Sequence, residues 1–372
     1  MKDRWLRFRD DLLQKPAFQR WAASFPLTRP IASKRSRELF DLVSGFVYSQ
    51  VLHACVRLKL LEEIADTPLP ADVLARRVGL EPDAMDRLLA AACALRLVSR
   101  RSPDSAGHAT FGLGDLGAAL LGNPGVVAMV EHHAILYDDL SDPVGLLRDP
   151  QKETGLQRYW AYAATRTPGA LADDTVADYS QLMAVSQSFI ADEILDAYPV
   201  SRHRHMMDVG GGEGAFVEAA AARAPEMAFT LVDLPAVAAR ASTRFASAGL
   251  ASRATAHGAD MFRDSLPEGA DLISLIRVLY DHPDDRVMAL LKRAHGALPQ
   301  GGTLLVAEPM AGTPGAENMG AAYFGFYLLA MRGGRSRTRD DLAAAMVQAG
   351  FSNVRPVKTR RPLFTSLLQG TA

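Results

Sequence analysis

Two hydrophobic periods divide this chain. Over residues 38–64, Leu39, Phe40, Leu42, Val43, Phe46, Val47, Val51, Leu52, Val56 and Leu58 recur at helical spacing. So long and so largely apolar a helix predicts burial on several sides, which packing between two subunits would supply. Residues 70–80 and 81–89 read as two short helices joined at Gly79, a helix-turn-helix, with residues 110–113 closing a wing strand. From about residue 203 the period changes. Residues 206–209, 229–233, 271–276 and 302–308 are short apolar runs that predict strands, and 354–358 and 363–368 complete the set. Residues 215–224, 285–297 and 338–349 predict the helices between them. Strands of this kind alternating with helices imply an α/β domain with a mostly parallel sheet covered on both faces. The boundary is expected between 175 and 203. The working division is a 1–37 segment, a helical 38–180 domain and a 181–372 α/β domain.

Composition narrows the classes. The net charge of −1 argues against a general nucleic-acid binder, which needs many phosphate-neutralising cations. Glu81, Asp83 and Asp86 at the start of the second short helix would also repel phosphates where a DNA reader meets base edges. The two cysteines, Cys55 and Cys93, form no CxxC pair, so neither a disulfide framework nor a zinc site is expected, and a reducing cytoplasm fits. Asp281, Asp284 and Asp285 around Pro283 read as a helix start rather than a metal site. No run of ~18 uninterrupted apolar residues predicts a membrane span, and the N-terminus lacks a signal-peptide pattern. It is basic, however: residues 1–40 carry ten Lys or Arg and four Asp or Glu, interleaved with Trp5, Leu6, Phe8, Leu12, Leu13, Phe18 and Trp21. Two readings stand, a helix packed on the body or in a dimer arm, and a basic amphipathic helix on an anionic membrane.

The chemistry-bearing motif follows the first predicted strand. Gly210-Gly211-Gly212-Glu213-Gly214 has GxGxG spacing, and Ala215 stands where the dinucleotide fingerprint has its last glycine. Glycines let backbone turn sharply and approach a ligand. Asp208 precedes them and can steady the loop. Asp233 ends the second strand, 19 residues after Gly214, placed to accept hydrogen bonds from ribose hydroxyls. Gly258-Ala259-Asp260-Met261-Phe262 offers a carboxylate and a thioether beside the adenine position.

Taken with Val232-Asp233-Leu234-Pro235 and Val306-Ala307-Glu308-Pro309, these motifs resemble the plant-type O-methyltransferase family over roughly residues 38–368. The resemblance implies a seven-stranded, Rossmann-like class I S-adenosylmethionine (SAM) methyltransferase domain with an antiparallel last strand. It also implies a preceding, mostly α-helical winged-helix dimerisation domain, and a homodimer. Matched residue by residue, it assigns SAM to Asp208, Gly210, Gly211, Gly212, Gly214, Asp233, Leu234, Asp260, Met261 and Arg277.

Where phenol-methylating members carry His-Asp-Trp, this chain has Tyr280-Asp281-His282. Glu308 matches one glutamate that supports the family's base, and Ser336 replaces the other. A phenol titrates near about 10, so a neutral imidazole usefully removes its proton. An aliphatic alcohol can lose its proton late, and alignment of the reacting atoms then supplies about 7–11 kcal/mol. Tyr280 is placed to hydrogen-bond such an oxygen. His282 is either a late proton acceptor or a ring packed near adenine. The same substitution resembles a photosynthetic-pigment subgroup, which implies a tertiary hydroxyl of an acyclic carotenoid (hydroxyneurosporene or demethylspheroidene type) as acceptor and peripheral contact with the inner, photosynthetic membrane. His133, Tyr137, Tyr323 and Tyr327 are candidates for the acceptor pocket or for core. Alternatives are a tetrapyrrole or small-metabolite methyltransferase, and a SAM-binding or DNA-binding regulator without catalysis.

Overall fold

The computed structural model describes residues 2–103, 105–160, 190–362 and 365–372. The expected boundary at 180/181 lies outside them, as do the first two residues of the strand expected over 363–368. The chain divides into two units, residues 1–122 and 123–372.

The first unit opens with helices Lys2–Leu13, Pro16–Ser24 and Arg29–Arg57. The long apolar helix starts earlier than its hydrophobic period. Pro30 occupies its first turn, and Lys34 and Glu38 pair four residues apart at 3.8 Å, so the polar stretch before Leu39 supports helix by itself. Within the single chain this helix is not buried on several sides: Leu39, Phe40, Leu42, Val43, Phe46 and Val47 are all exposed. By length and composition it is apolar enough to cross a membrane, though Asp41, Ser44, Gln50 and His53 interrupt the apolar positions. Beyond it, Ala71–Val78 and Pro82–Ala94 form the helix-turn-helix. Strands β1 (Leu69–Pro70), β2 (Val98–Arg101) and β3 (Thr110–Leu113) make a small antiparallel sheet in the order β1-β3-β2. This is the winged helix the resemblance implied, and Leu60, Leu74, Met85 and Leu89 are buried in it.

The second unit holds seven strands: β4 (His205–Val209), β5 (Ala228–Asp233), β6 (Ala254–Gly258), β7 (Leu272–Ile276), β8 (Thr303–Glu308), β9 (Ser352–Val357) and β10 (Ser366–Thr371). Their order is β6-β5-β4-β7-β8-β10-β9, and β10 runs antiparallel to both its neighbours. The other pairings are parallel. The inner strands carry apolar residues on both faces because each face is covered. Met206, Phe229, Leu231 and Leu305 join one cluster with Phe216 and Phe245, while Met207, Val232, Ile273 and Val306 join another with Leu290 and Leu291. The carboxyl ends of β4, β5, β7 and β8 deliver, in turn, the glycine loop, Asp233, the turn over 277–282, and Glu308. A sheet of this topology binds ligands there.

Candidate active site

The glycine loop is shaped by contacts that leave no room for side chains. A Cβ on Gly211 would lie 2.6 Å from an Asp208 carboxylate oxygen, and one on Gly214, at φ +84°, 2.5 Å from the Phe245 ring. Gly212 differs: it too has positive φ, but a Cβ there would meet nothing within 4 Å. The open side of the loop is therefore at Gly212. Its amide donates to Asp233 Oδ2 at 2.8 Å, and the Leu234 amide donates to Oδ1 at 2.7 Å. Each carboxylate oxygen retains a second lone pair for a hydroxyl. Burial pushes Asp233 up to about 6 against these two amides, so it still carries charge at neutral pH. A charged carboxylate beside an open glycine turn suits the ribose of a nucleoside. Asp208 is one step behind. It accepts from Ser274 Oγ at 2.6 Å, and burial pushes it up to about 7.

The Asp260 carboxylate accepts from the Phe262 amide at 2.9 Å, so it fixes its own loop. Met261 and Phe262 pack against the second core cluster. Phe262 also meets the His282 ring edge-on at 4.8 Å. The His282 ring thus packs against the loop expected beside adenine. Burial, with Arg286 and Arg337 nearby, pushes it down to about 3, and its Nδ1 has no partner.

Turn 277–282 is held from three directions. Glu308 Oε1 accepts from the Val278 and Leu279 amides at 3.1 and 2.7 Å. Buried Arg337 donates to the Leu279 and His282 carbonyls at 2.9 and 2.7 Å and pairs with Asp284. The Arg277 guanidinium hydrogen-bonds the Tyr280 phenol. The bonded partners of Glu308 are therefore backbone amides, not an imidazole. Ser336 donates to the Gly320 carbonyl, away from this turn.

Burial pushes Glu308 up to about 8 from an ordinary 4.5, which has a consequence for stability. Folding takes up a proton wherever the native group titrates higher than the unfolded one, so stability falls as pH rises through that window. Between pH 6.5 and 8, Glu308 contributes about 2 kcal/mol of such loss, with Asp208 adding to it below 7. Under pH 6.5, buried His132 and His282, pushed down to about 4 and about 3, act in the opposite sense. The protein is expected to melt at lower temperature at pH 8 than at pH 6.5. Glu308→Gln, which keeps the accepting oxygen, should lose most of that difference in thermal melts; an unaltered slope would show that the proton resides elsewhere.

An aromatic wall adjoins the turn. Tyr280 packs with Tyr327, Leu328, Met331, Leu136, Trp160 and Val237, and Leu234 borders the same cluster. Asp233 is thus next door to it. The Tyr327 hydroxyl is hydrogen-bonded with His132 Nε2 at 2.8 Å and accepts from Trp160 Nε1 at 2.7 Å. His133 bonds the Tyr323 hydroxyl at 2.7 Å and meets the Tyr137 ring at 6.1 Å. The four expected pocket residues are brought together in this wall. His132, Trp160 and Arg337 were not anticipated: each gains its meaning from a partner more than fifty residues away, and no local pattern marks it.

Known proteins resemble this chain over most of its length. An O-methyltransferase domain family matches residues 137–352, and an O-methyltransferase dimerisation domain family matches residues 40–123. A demethylspheroidene O-methyltransferase of Cereibacter sphaeroides is 42% identical over 349 residues, covering 94% of this chain and 90% of that enzyme. Mouse acetylserotonin O-methyltransferase is 31% identical, covering 88% of this chain and 86% of its own length. Among solved structures, human N-acetylserotonin methyltransferase in complex with SAM superposes with a TM-score of 0.73 at 23% identity, covering 91% of this chain and 97% of that one.

Proposed function

Because the chain belongs to the SAM-dependent O-methyltransferase family, we propose that it methylates a tertiary hydroxyl of an acyclic carotenoid. The observation that carries this reading is the 42% identity, over nearly the whole chain, to a demethylspheroidene O-methyltransferase. The chemistry of the site supports it. SAM, when bound, supplies a methyl group on a positively charged sulfur. Asp233, the loop from Gly210 to Gly214, Leu234, Asp260 and Met261 are the residues proposed to hold it, with Asp208 and Arg277 fixing the loop and the turn.

What remains at the turn is poor at stripping a proton. Burial holds the Tyr280 phenol well above its ordinary range, Glu308 keeps its proton at neutral pH, and His282 is a weak base. None of these groups suits early deprotonation of a phenol. All suit an alcohol that keeps its proton until the methyl has moved, when the strongly acidic protonated ether gives it up to a base as weak as neutral His282 or to solvent on release, with Tyr280 orienting the acceptor oxygen and Tyr323, Phe324 and Tyr327 walling the acceptor side. His133 and Tyr137 complete the proposed acceptor side.

We further propose a homodimer, in which a second copy covers exposed Leu39, Phe40, Leu42, Val43, Phe46 and Val47. The dimerisation-domain match, which begins at residue 40, supports this. A long polyene dissolves in bilayers, so peripheral attachment to the membrane that holds the acceptor belongs to the same proposal.

The test is direct. With SAM and a 1-hydroxy acyclic carotenoid, mass spectrometry should detect the methoxy product. Tyr280→Phe should lower kcat by less than about tenfold, where loss of a true general base costs about 10²–10⁴. Methylation of simple phenols with the carotenoid left untouched would overturn the reading.

A further inference from the structure

We propose that the N-terminal arm, residues 2–31, is a docking surface for an anionic lipid bilayer, centred on Trp5 and Phe8. These two rings lie one turn apart on the Lys2–Leu13 helix and are 61% and 65% exposed. At 3.6 residues per turn, Arg4 and Arg9 fall on either side of the pair, while Asp3 and Asp10 fall on the opposite side. The Arg9 guanidinium lies 5.8 Å from the Trp5 ring. The helix thus presents aromatic rings between two arginines, with Asp11 at the Arg4 edge of that face and Asp10 drawn round to pair with Arg9 at 2.7 Å. Aromatic rings favour the bilayer interface, and long cationic side chains reach headgroups while their stems stay apolar.

The next helix repeats the composition. Trp21 and Phe25 stack at 5.2 Å and are 50% and 40% exposed, beside Arg20, and Leu27 follows at 79%. Charge separates this arm from the rest of the chain: residues 2–31 hold seven Lys or Arg against three Asp or Glu, in a protein whose net charge is −1. Neither family match reaches the arm, since the dimerisation domain begins at residue 40. A self-complementary contact between two copies of the arm would set like charge against like charge, whereas an anionic surface neutralises it.

The inference rests on the membrane-resident acceptor proposed above, but its test needs no carotenoid. The full-length protein is mixed with vesicles of phosphatidylcholine alone, or of phosphatidylcholine with phosphatidylglycerol, and sedimented. Binding to the anionic vesicles should exceed binding to the neutral ones by about tenfold or more at low salt, and should weaken as salt is added. Trp5→Ser with Phe8→Ser, and Arg4→Glu with Arg9→Glu, should each remove most of that binding. The subunit mass in solution and methyl transfer to acceptor in detergent should stay unchanged. Equal binding to both vesicle types, or binding indifferent to either pair of substitutions, overturns the proposal. So does a shift from dimer to monomer in the substituted proteins, which would assign the arm to the subunit interface. Failure of the carotenoid assay alone would leave the vesicle result standing.

Discussion

Asp233→Ala should lower affinity for SAM by about 10- to 100-fold, read by titration calorimetry. The carboxylate has two tasks, and the substitution removes both. In the proposed site it would accept charge-assisted hydrogen bonds from ribose hydroxyls, a kind of bond worth about 1.5–3 kcal/mol, and each 1.4 kcal/mol is about tenfold in affinity. It also holds the Gly212 amide at 2.8 Å and so fixes the open side of the glycine loop. Asp233→Asn, which retains one accepting oxygen, should lose less. Unchanged affinity in Asp233→Ala would place the nucleoside elsewhere and remove the basis for the site.

Gly334→Ala should destabilise the protein by about 3 kcal/mol or more. Gly334 has φ +65°, and a Cβ there would lie 1.8 Å from the Tyr280 carbonyl oxygen and 2.5 Å from the Asp281 carbonyl carbon. Both atoms are backbone, so no side chain can swing aside. The left-handed conformation costs about 1–2 kcal/mol, and forcing atoms into packed space costs typically about 1–3 more. Gly312 supplies the control, because it has φ +67° with nothing within 4 Å of a Cβ. Gly312→Ala should show only the conformational part. Denaturant titrations of the two variants separate the terms, and equal losses would mean the close approach to Tyr280 is not enforced.

Much of this was legible in the sequence, for identifiable reasons. The strand cores at 206–209, 229–233, 271–276 and 302–308 were readable because inner parallel strands are apolar on both faces. The helix-turn-helix showed itself through Gly79, which ends the first helix in the left-handed conformation that glycine favours. The Gly210–Gly214 loop and Asp233 share a local spacing, and the structure joins them by a hydrogen bond. The early start of the long helix at Arg29 was hidden because helix formation there relies on charged residues rather than an apolar period. The bonding of Glu308 was invisible for a different reason. A carboxylate at the end of a strand reads as chemistry, and only the fold shows that the Val278 and Leu279 amides occupy it. The Tyr327 partnership with His132 and Trp160, and the grip of Arg337 on the turn, are long-range facts of the same kind.

The position of β10 bears on how the molecule is made. Residues 366–371 lie inside the sheet, antiparallel between β8 and β9. A nascent chain that has emerged only as far as residue 365 leaves β8 with an unpaired edge and β9 with no neighbour. The ribosome must therefore release almost the whole domain before its sheet can close, and the half-built intermediate offers a long template for strand addition by other chains.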